Sequence, residues 1–179
     1  MTLLHEKNSP AFAYFITIRT YATWMHGDKR GSVDSKHNKF GMPGIKPSHT
    51  LHYAMKQSAN EDAFLLDEKM RETVLQSIMQ TCRCLNWKIF AIHVRTNHAH
   101  LVIQSHISKE ETTKKLKQYA TKDLKKYHLP LQQRNKFWSR HASMKNIWAP
   151  ETLFPALYYD KQCYDPIDEA LFECYFDSK

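Results

Sequence analysis

Three shortages narrow what this chain can be: long apolar runs, paired cysteines and glycines. Nowhere do apolar residues reach the roughly 20 needed to span a bilayer. Residues 1–7 (MTLLHEK) lack the basic-then-apolar pattern of an export signal. A soluble, cytoplasmic protein with no membrane partner is the expectation. The four cysteines, Cys82, Cys84, Cys163 and Cys174, form no Cys-x-x-Cys pair, and without export disulfides are not favoured. They read as free thiols. Internal repeats and low-complexity tracts are absent, and so is a clear aromatic RNA-recognition signature. All four glycines (Gly27, Gly31, Gly41 and Gly44) fall within one stretch, residues 26–49, which also carries Lys29, Arg30, Lys36, Lys39 and Lys46. That stretch reads as a long basic loop, either a flap over a nucleic-acid strand or a solvated insertion.

What is present is charge of one sign. The 179 residues are enough for one domain with a proper core, and we read residues 1–179 as a single domain with its body over about 11–163. The net charge is +8 with eleven histidines counted neutral, which favours a polyanionic partner. Aromatics at 12% turn that toward nucleic acid.

Residues 11–20 (AFAYFITIRT) alternate aromatic and β-branched types and predict a strand. From Asp67 to about Cys84, Met70, Val74, Leu75, Ile78 and Met79 recur at helical spacing. Residues 87–94 read as a second strand, residues 95–97 as a turn, and the stretch after it as a third strand completing a hairpin. Ser108 with Glu111 suggests a capping box for a helix whose apolar face is Leu116, Tyr119, Ala120, Leu124 and Tyr127. Its other face carries Lys114, Lys115, Lys117, Lys122, Lys125 and Lys126, either a solvated face or a track for phosphates. Residues 137–148 read as a fourth strand or strand pair. Thr152 is a candidate cap for a helix carrying Tyr158 and Gln162, and a last helix is expected over about 166–176. The order is that of an α+β, ferredoxin-like (split βαβ) antiparallel sheet with helices on one face.

The stretch that draws chemical attention is residues 92–103, IHVRTNHAHLVI, in which His98 and His100 flank one alanine. Side chains two apart on a strand leave the same face roughly 7 Å apart, so both imidazoles can address one ion. A third ligand has to come from elsewhere. Tyr158 and Gln162, four apart, share a helix face and are candidates to complete such a site.

Taken together, Asn97-His98-Ala99-His100-Leu101-Val102-Ile103, Leu116-Lys117 with Ala120-Thr121, Phe137-Trp138-Ser139, and Tyr158 followed by Gln162 resemble the single-tyrosine HUH transposases of small bacterial insertion sequences and their REP-associated, transposase-like relatives. The likeness runs over about 11–163, and Thr17-Ile18-Arg19-Thr20-Tyr21 through Trp24, Gly27 and Gly31-Ser32-Val33-Asp34 is similar to one branch of them. The resemblance implies a ferredoxin-like domain, often a homodimer, that cuts single-stranded DNA with a tyrosine and stays joined to the 5′ phosphate. Carried over by residue, His98, His100 and Gln162 match the metal ligands and Tyr158 the nucleophile. Tyr159 stands beside Tyr158 and is the alternative nucleophile; the spacing to Gln162 favours Tyr158.

A phenol with an ordinary pKa near 10 is protonated at neutral pH and needs help to attack a phosphate. A divalent cation polarising the phosphoryl oxygens supplies it. Imidazole is not a typical magnesium ligand, so manganese suits the donor set and magnesium is what the resemblance implies. Lys29, Arg30, Lys114, Lys117 and Lys125 are candidate contacts to single-stranded or hairpin DNA. Two other readings use the same residues: a non-catalytic nucleic-acid-binding protein derived from a transposase, and a metal-dependent hydrolase that releases product to water.

Overall fold

The computed structural model describes residues 11–29, 31–32 and 44–152. Four strands form one sheet: β1 (Ala13–Arg19), β2 (Lys88–Val94), β3 (His98–Gln104) and β4 (Ser143–Ile147), in the spatial order β2-β3-β1-β4. Every neighbouring pair is antiparallel. Strands β1 and β2 are therefore parallel to each other with β3 inserted between them, which makes the split βαβ arrangement. The helices are α1 (His49–Gln57), α2 (Glu68–Cys84) and α3 (Lys109–Tyr127). The expected ferredoxin-like α+β fold is thus the observed one; the expected C-terminal helix, Tyr158, Tyr159, Gln162, Cys163, Cys174 and Arg30 lie outside the described residues.

The sheet has two unequal faces because its strands alternate. Tyr14, Ile16 and Ile18 of β1 and Leu101 and Ile103 of β3 turn toward the helices. There they meet Val74, Ile78 and Cys82 of α2 and Leu116, Ala120 and Leu124 of α3. Burying each large aliphatic side chain contributes about 1.5–3 kcal/mol, so this layer carries most of the folding energy. Phe64 and Phe137 close one end of it, ring centroids 5.1 Å apart and edge to face. On the opposite face the described residues form a smaller apolar patch of Ala13, Phe15, Ala91, Val102 and Ile147, with Phe12 and Phe90 against it. A bulge between Ile89 and Ala91 shifts the β2 register, so that His93 comes to lie opposite His100.

Helix starts follow the sequence chemistry. Asp67 accepts a hydrogen bond from Met70 N (2.8 Å) at the head of α2. Ser108 Oγ accepts one from Glu111 N (3.2 Å) at the head of α3 and donates to the Glu111 carboxylate (3.3 Å).

Among the described residues of the 26–49 stretch no helix or strand precedes His49; Ser32 and Ile45 form an isolated antiparallel bridge, and Gly27 O accepts from Ser48 N (3.0 Å) at the start of α1. Gly27 has φ +84°, and a Cβ there would lie 2.5 Å from the Ser48 carbonyl oxygen, so this turn requires glycine. Helix α1, which the sequence reading does not include, starts at the Ser48 cap and buries none of its nine residues. The fourth strand is shorter than residues 137–148, beginning only at Ser143; Trp138 makes an isolated bridge to Thr20 instead.

Candidate functional site

Residues directly opposite in an antiparallel pair share a face, and the β1–β3 register sets Thr17 against His100 and Arg19 against His98. Both histidines lie on the sheet face away from α2 and α3, with His93 brought alongside from β2. The His98 and His100 rings are 4.6 Å apart between centroids and steeply tilted. Phe15 stacks on His100 at 5.8 Å and forms the floor on one side.

Each imidazole is held through its δ nitrogen. Nδ1 of His98 lies 2.7 Å from Asn97 Oδ1, and Nδ1 of His100 lies 2.9 Å from Thr17 Oγ1. An amide oxygen only accepts, so neutral His98 donates through Nδ1 and carries its lone pair on Nε2. Burial first, then the nearby His98, His93, Arg19 and Arg95, push the His100 pKa down to about 4. His100 is therefore neutral at physiological pH, the form in which imidazole ligates a metal. The pair fits two positions of a divalent-metal site. Among the described residues no group of three or more His, Cys, Asp or Glu side chains gathers for a metal, so a complete set draws on a further ligand.

The end of β1 is fixed from both sides. Thr20 N donates to Asn97 O (2.9 Å), and its hydroxyl donates to the same oxygen (3.0 Å). From the other side, Ser139 N donates to Arg19 O (2.9 Å) and Ser139 Oγ to Thr20 O (3.1 Å). Helix α3 anchors that second clamp: Lys117 Nζ donates to Ser139 O (2.8 Å), and Trp138 Nε1 donates to Thr121 Oγ1 (2.9 Å). Burial lowers the Lys117 pKa to about 8. The residues Lys117, Thr121, Trp138 and Ser139, scattered in sequence, thus converge on the backbone that sets Arg19 beside His98.

Of the expected site residues, His98 and His100 come together. Lys114 is exposed on α3 and Lys125 sits over the Phe137 ring at 5.8 Å, both on a helix packed against the face of the sheet opposite the histidines. Lys117 is turned to the Ser139 carbonyl. Lys29 is exposed in the turn between Asp28 and Gly31, and that turn is tied to Trp24, whose Nε1 donates to Gly31 O (2.7 Å). Sequence reasoning missed Thr17, Arg19, His93 and Arg95. Alternation along β1 could have set Thr17 and Arg19 on one face, but only strand pairing sets them against the histidines.

Fold and face together define an antiparallel α+β domain with paired histidines on the sheet face away from α2 and α3. Residues 48–147 match the family model described as IS200-like transposase, more than half of the chain, and the protein belongs to that family. Two solved structures are similar to it. One is a Deinococcus radiodurans protein described as a transposase by assignment, 10% identical, with a TM-score of 0.50 over 88% of this chain and 95% of that one. The other is a REP-associated tyrosine transposase bound to a REP hairpin, 10% identical, with a TM-score of 0.48 over 89% of this chain and 70% of that one. At such identity the first likeness speaks for the fold alone. No curated protein matches the chain. No helix among the described residues is long and apolar enough to cross a membrane.

Proposed function

We propose that this single-domain protein cleaves and rejoins single-stranded DNA as a transposase, with Tyr158 as nucleophile and a divalent metal, Mn²⁺ or Mg²⁺, held by His98, His100 and Gln162. The observation that carries the reading is the His98–His100 pair: two imidazoles 4.6 Å apart on the sheet face away from α2 and α3, one of them kept neutral by burial. Tyr158 and Gln162 lie beyond the 48–147 family match and outside the described residues, and enter by their four-residue spacing, which on a helix would set them on one face, and by the resemblance to single-tyrosine transposases.

The chemistry follows from those groups. When bound, the cation polarises the non-bridging oxygens of the scissile phosphate and orients it for in-line attack. The Tyr158 oxygen bonds to phosphorus, the bond to the 3′ oxygen breaks, the phenol proton is lost, and the leaving 3′ oxygen gains one. One phosphodiester replaces another, so an incoming 3′-OH reverses the step without ATP and joins a different strand. Lys29, Arg30, Lys114 and Lys125 are proposed to contribute to affinity for single-stranded or hairpin DNA, in a cytoplasmic homodimer, while Lys117, turned to the Ser139 carbonyl, is proposed to act through that clamp.

The test is incubation of the protein with single-stranded oligonucleotides and Mn²⁺, followed by denaturing electrophoresis and peptide mapping. The reading expects a denaturation-resistant protein–DNA adduct on Tyr158, absent in Tyr158→Phe and retained in Tyr159→Phe. Free cleavage products without an adduct would point to a hydrolase, and binding without cutting to a non-catalytic relative. An adduct on Tyr159 would reassign the nucleophile.

A further inference from the structure

Arg19 is placed where a phosphate-binding group is needed, and its placement is built rather than incidental. It lies directly across the β1–β3 pair from His98, on the same face as both histidines. Its backbone oxygen is held by Ser139 N at 2.9 Å, and the next residue is pinned to Asn97 O, so the strand end cannot drift from the histidine strand. Its guanidinium carbon lies 4.0 Å from the centroid of the Trp24 ring. Trp24 is itself fixed through Nε1 to Gly31 O at 2.7 Å. A cation over a tryptophan face is an attractive contact, and it engages the face of the guanidinium. The five N–H donors lie in the guanidinium plane, the geometry that suits two oxygens of a phosphate. Stacking also restricts the rotamers of a long side chain, which lowers the entropy lost on binding.

We infer that Arg19 contacts the DNA phosphodiester presented at the His98–His100 pair, and that Trp24 is the positioning residue that holds its guanidinium for that contact. The inference rests on the reading of this face as a DNA-cleavage site and adds to it a charge that remains whether or not a metal is bound. The nearby positive charge of Arg95, in the turn that joins β2 and β3, adds to the field at the same place.

The experiment uses the full chain and the trinucleotide dT3, with the neutral methylphosphonate analogue of dT3 as the control. The guanidinium resonances of Arg19 and binding affinity are followed by NMR titration. The expected result is a saturable shift of the Arg19 signal with dT3 and none with the uncharged analogue. Arg19→Gln should weaken dT3 binding about tenfold, as loss of a hydrogen-bonded charge does, and Arg19→Lys should weaken it less. Trp24→Leu should weaken binding about as much as Arg19→Gln, Trp24→Phe should recover most of it, and the double variant should be no worse than Arg19→Gln alone. A purely structural role for Trp24 would instead add to the Arg19 loss.

Arg19→Gln binding dT3 within about twofold of the parent, or no shift of the Arg19 signal in the parent, would overturn the inference. Mn²⁺ binding by His98→Ala and His100→Ala separates the two levels. If those variants lose the metal while Arg19→Gln leaves dT3 binding intact, only the Arg19 assignment falls. If they bind Mn²⁺ as the parent does, the metal reading of the face falls as well.

Discussion

Thr17 Oγ1 lies 2.9 Å from Nδ1 of His100, so a hydroxyl on the central strand sets the orientation of one of the two paired imidazoles. Partners of this kind fix both ring rotation and tautomer, and their removal typically costs 10–100-fold in metal affinity. Thr17→Val keeps the β-branched shape and removes the hydroxyl. Weaker Mn²⁺ binding by about tenfold or more is expected, with unchanged circular dichroism, and Thr17→Ser should restore most of it. Mn²⁺ electron paramagnetic resonance would measure this, and equal affinity in Thr17→Val would show that the hydroxyl does not orient a ligand.

His98→Ala and His100→Ala should each abolish metal-dependent cleavage while leaving a folded protein. Both side chains lie on the face away from the main core, so truncation opens little apolar volume between sheet and helices. Cleavage assays paired with urea denaturation check both halves of the expectation. Full nicking by a folded double variant would remove the metal-clamp reading.

Lys117 makes stability depend on pH in a defined window. Burial lowers its pKa from 10.5 to about 8 in the folded chain, so between those values the unfolded chain binds more protons than the native one. Stability should therefore rise with pH from about 8 upward. Cys82 works the other way but later, since burial raises its thiol from 9.0 to about 12 and makes stability fall with pH only above 9.0. Urea midpoints should increase between about pH 7.5 and 9 in the parent and stay flatter in Lys117→Met, compared as slopes because that variant also loses the bond to Ser139 O.

Gly27→Ala should destabilise the turn that seats α1. The new Cβ would meet backbone at both Ser48 O (2.5 Å) and His52 N (2.6 Å), and φ +84° disfavours any L side chain. A loss of about 1–3 kcal/mol is expected, read by denaturation and by faster amide exchange across α1. Unchanged exchange in α1 would show that the turn and the helix are not coupled.

Binding of single-stranded DNA should fall steeply with salt if the basic side chains neutralise phosphates. With several such contacts, affinity should drop by orders of magnitude between about 50 and 200 mM salt. Near-constant binding over that range would argue that phosphate contacts are not the main source of affinity.

The sequence by itself determined the elements whose signals are local. Alternation in β1, the apolar spacing of α2 and α3, and the Asp67 and Ser108 caps all act within a few residues, so they can be read from the chain in one dimension. The His-x-His spacing likewise guaranteed that His98 and His100 would share a face once they lay on a strand. Helix α1 is seated by the Ser48 cap and the Gly27 contact, and none of its residues is buried. Only the tertiary structure decided which face the histidines took and what stands around them. Thr17 and His100 are 83 residues apart in the chain, and their pairing depends on β1 inserting beside β3. Likewise, His93 faces His100 because β2 and β3 pair in that register. The scattered Lys117, Trp138 and Ser139 acquire a common purpose only when α3 and the chain after Phe137 close on the end of β1. The helices take the apolar face because that burial is where the hydrophobic energy lies, and the paired imidazoles are left on the other.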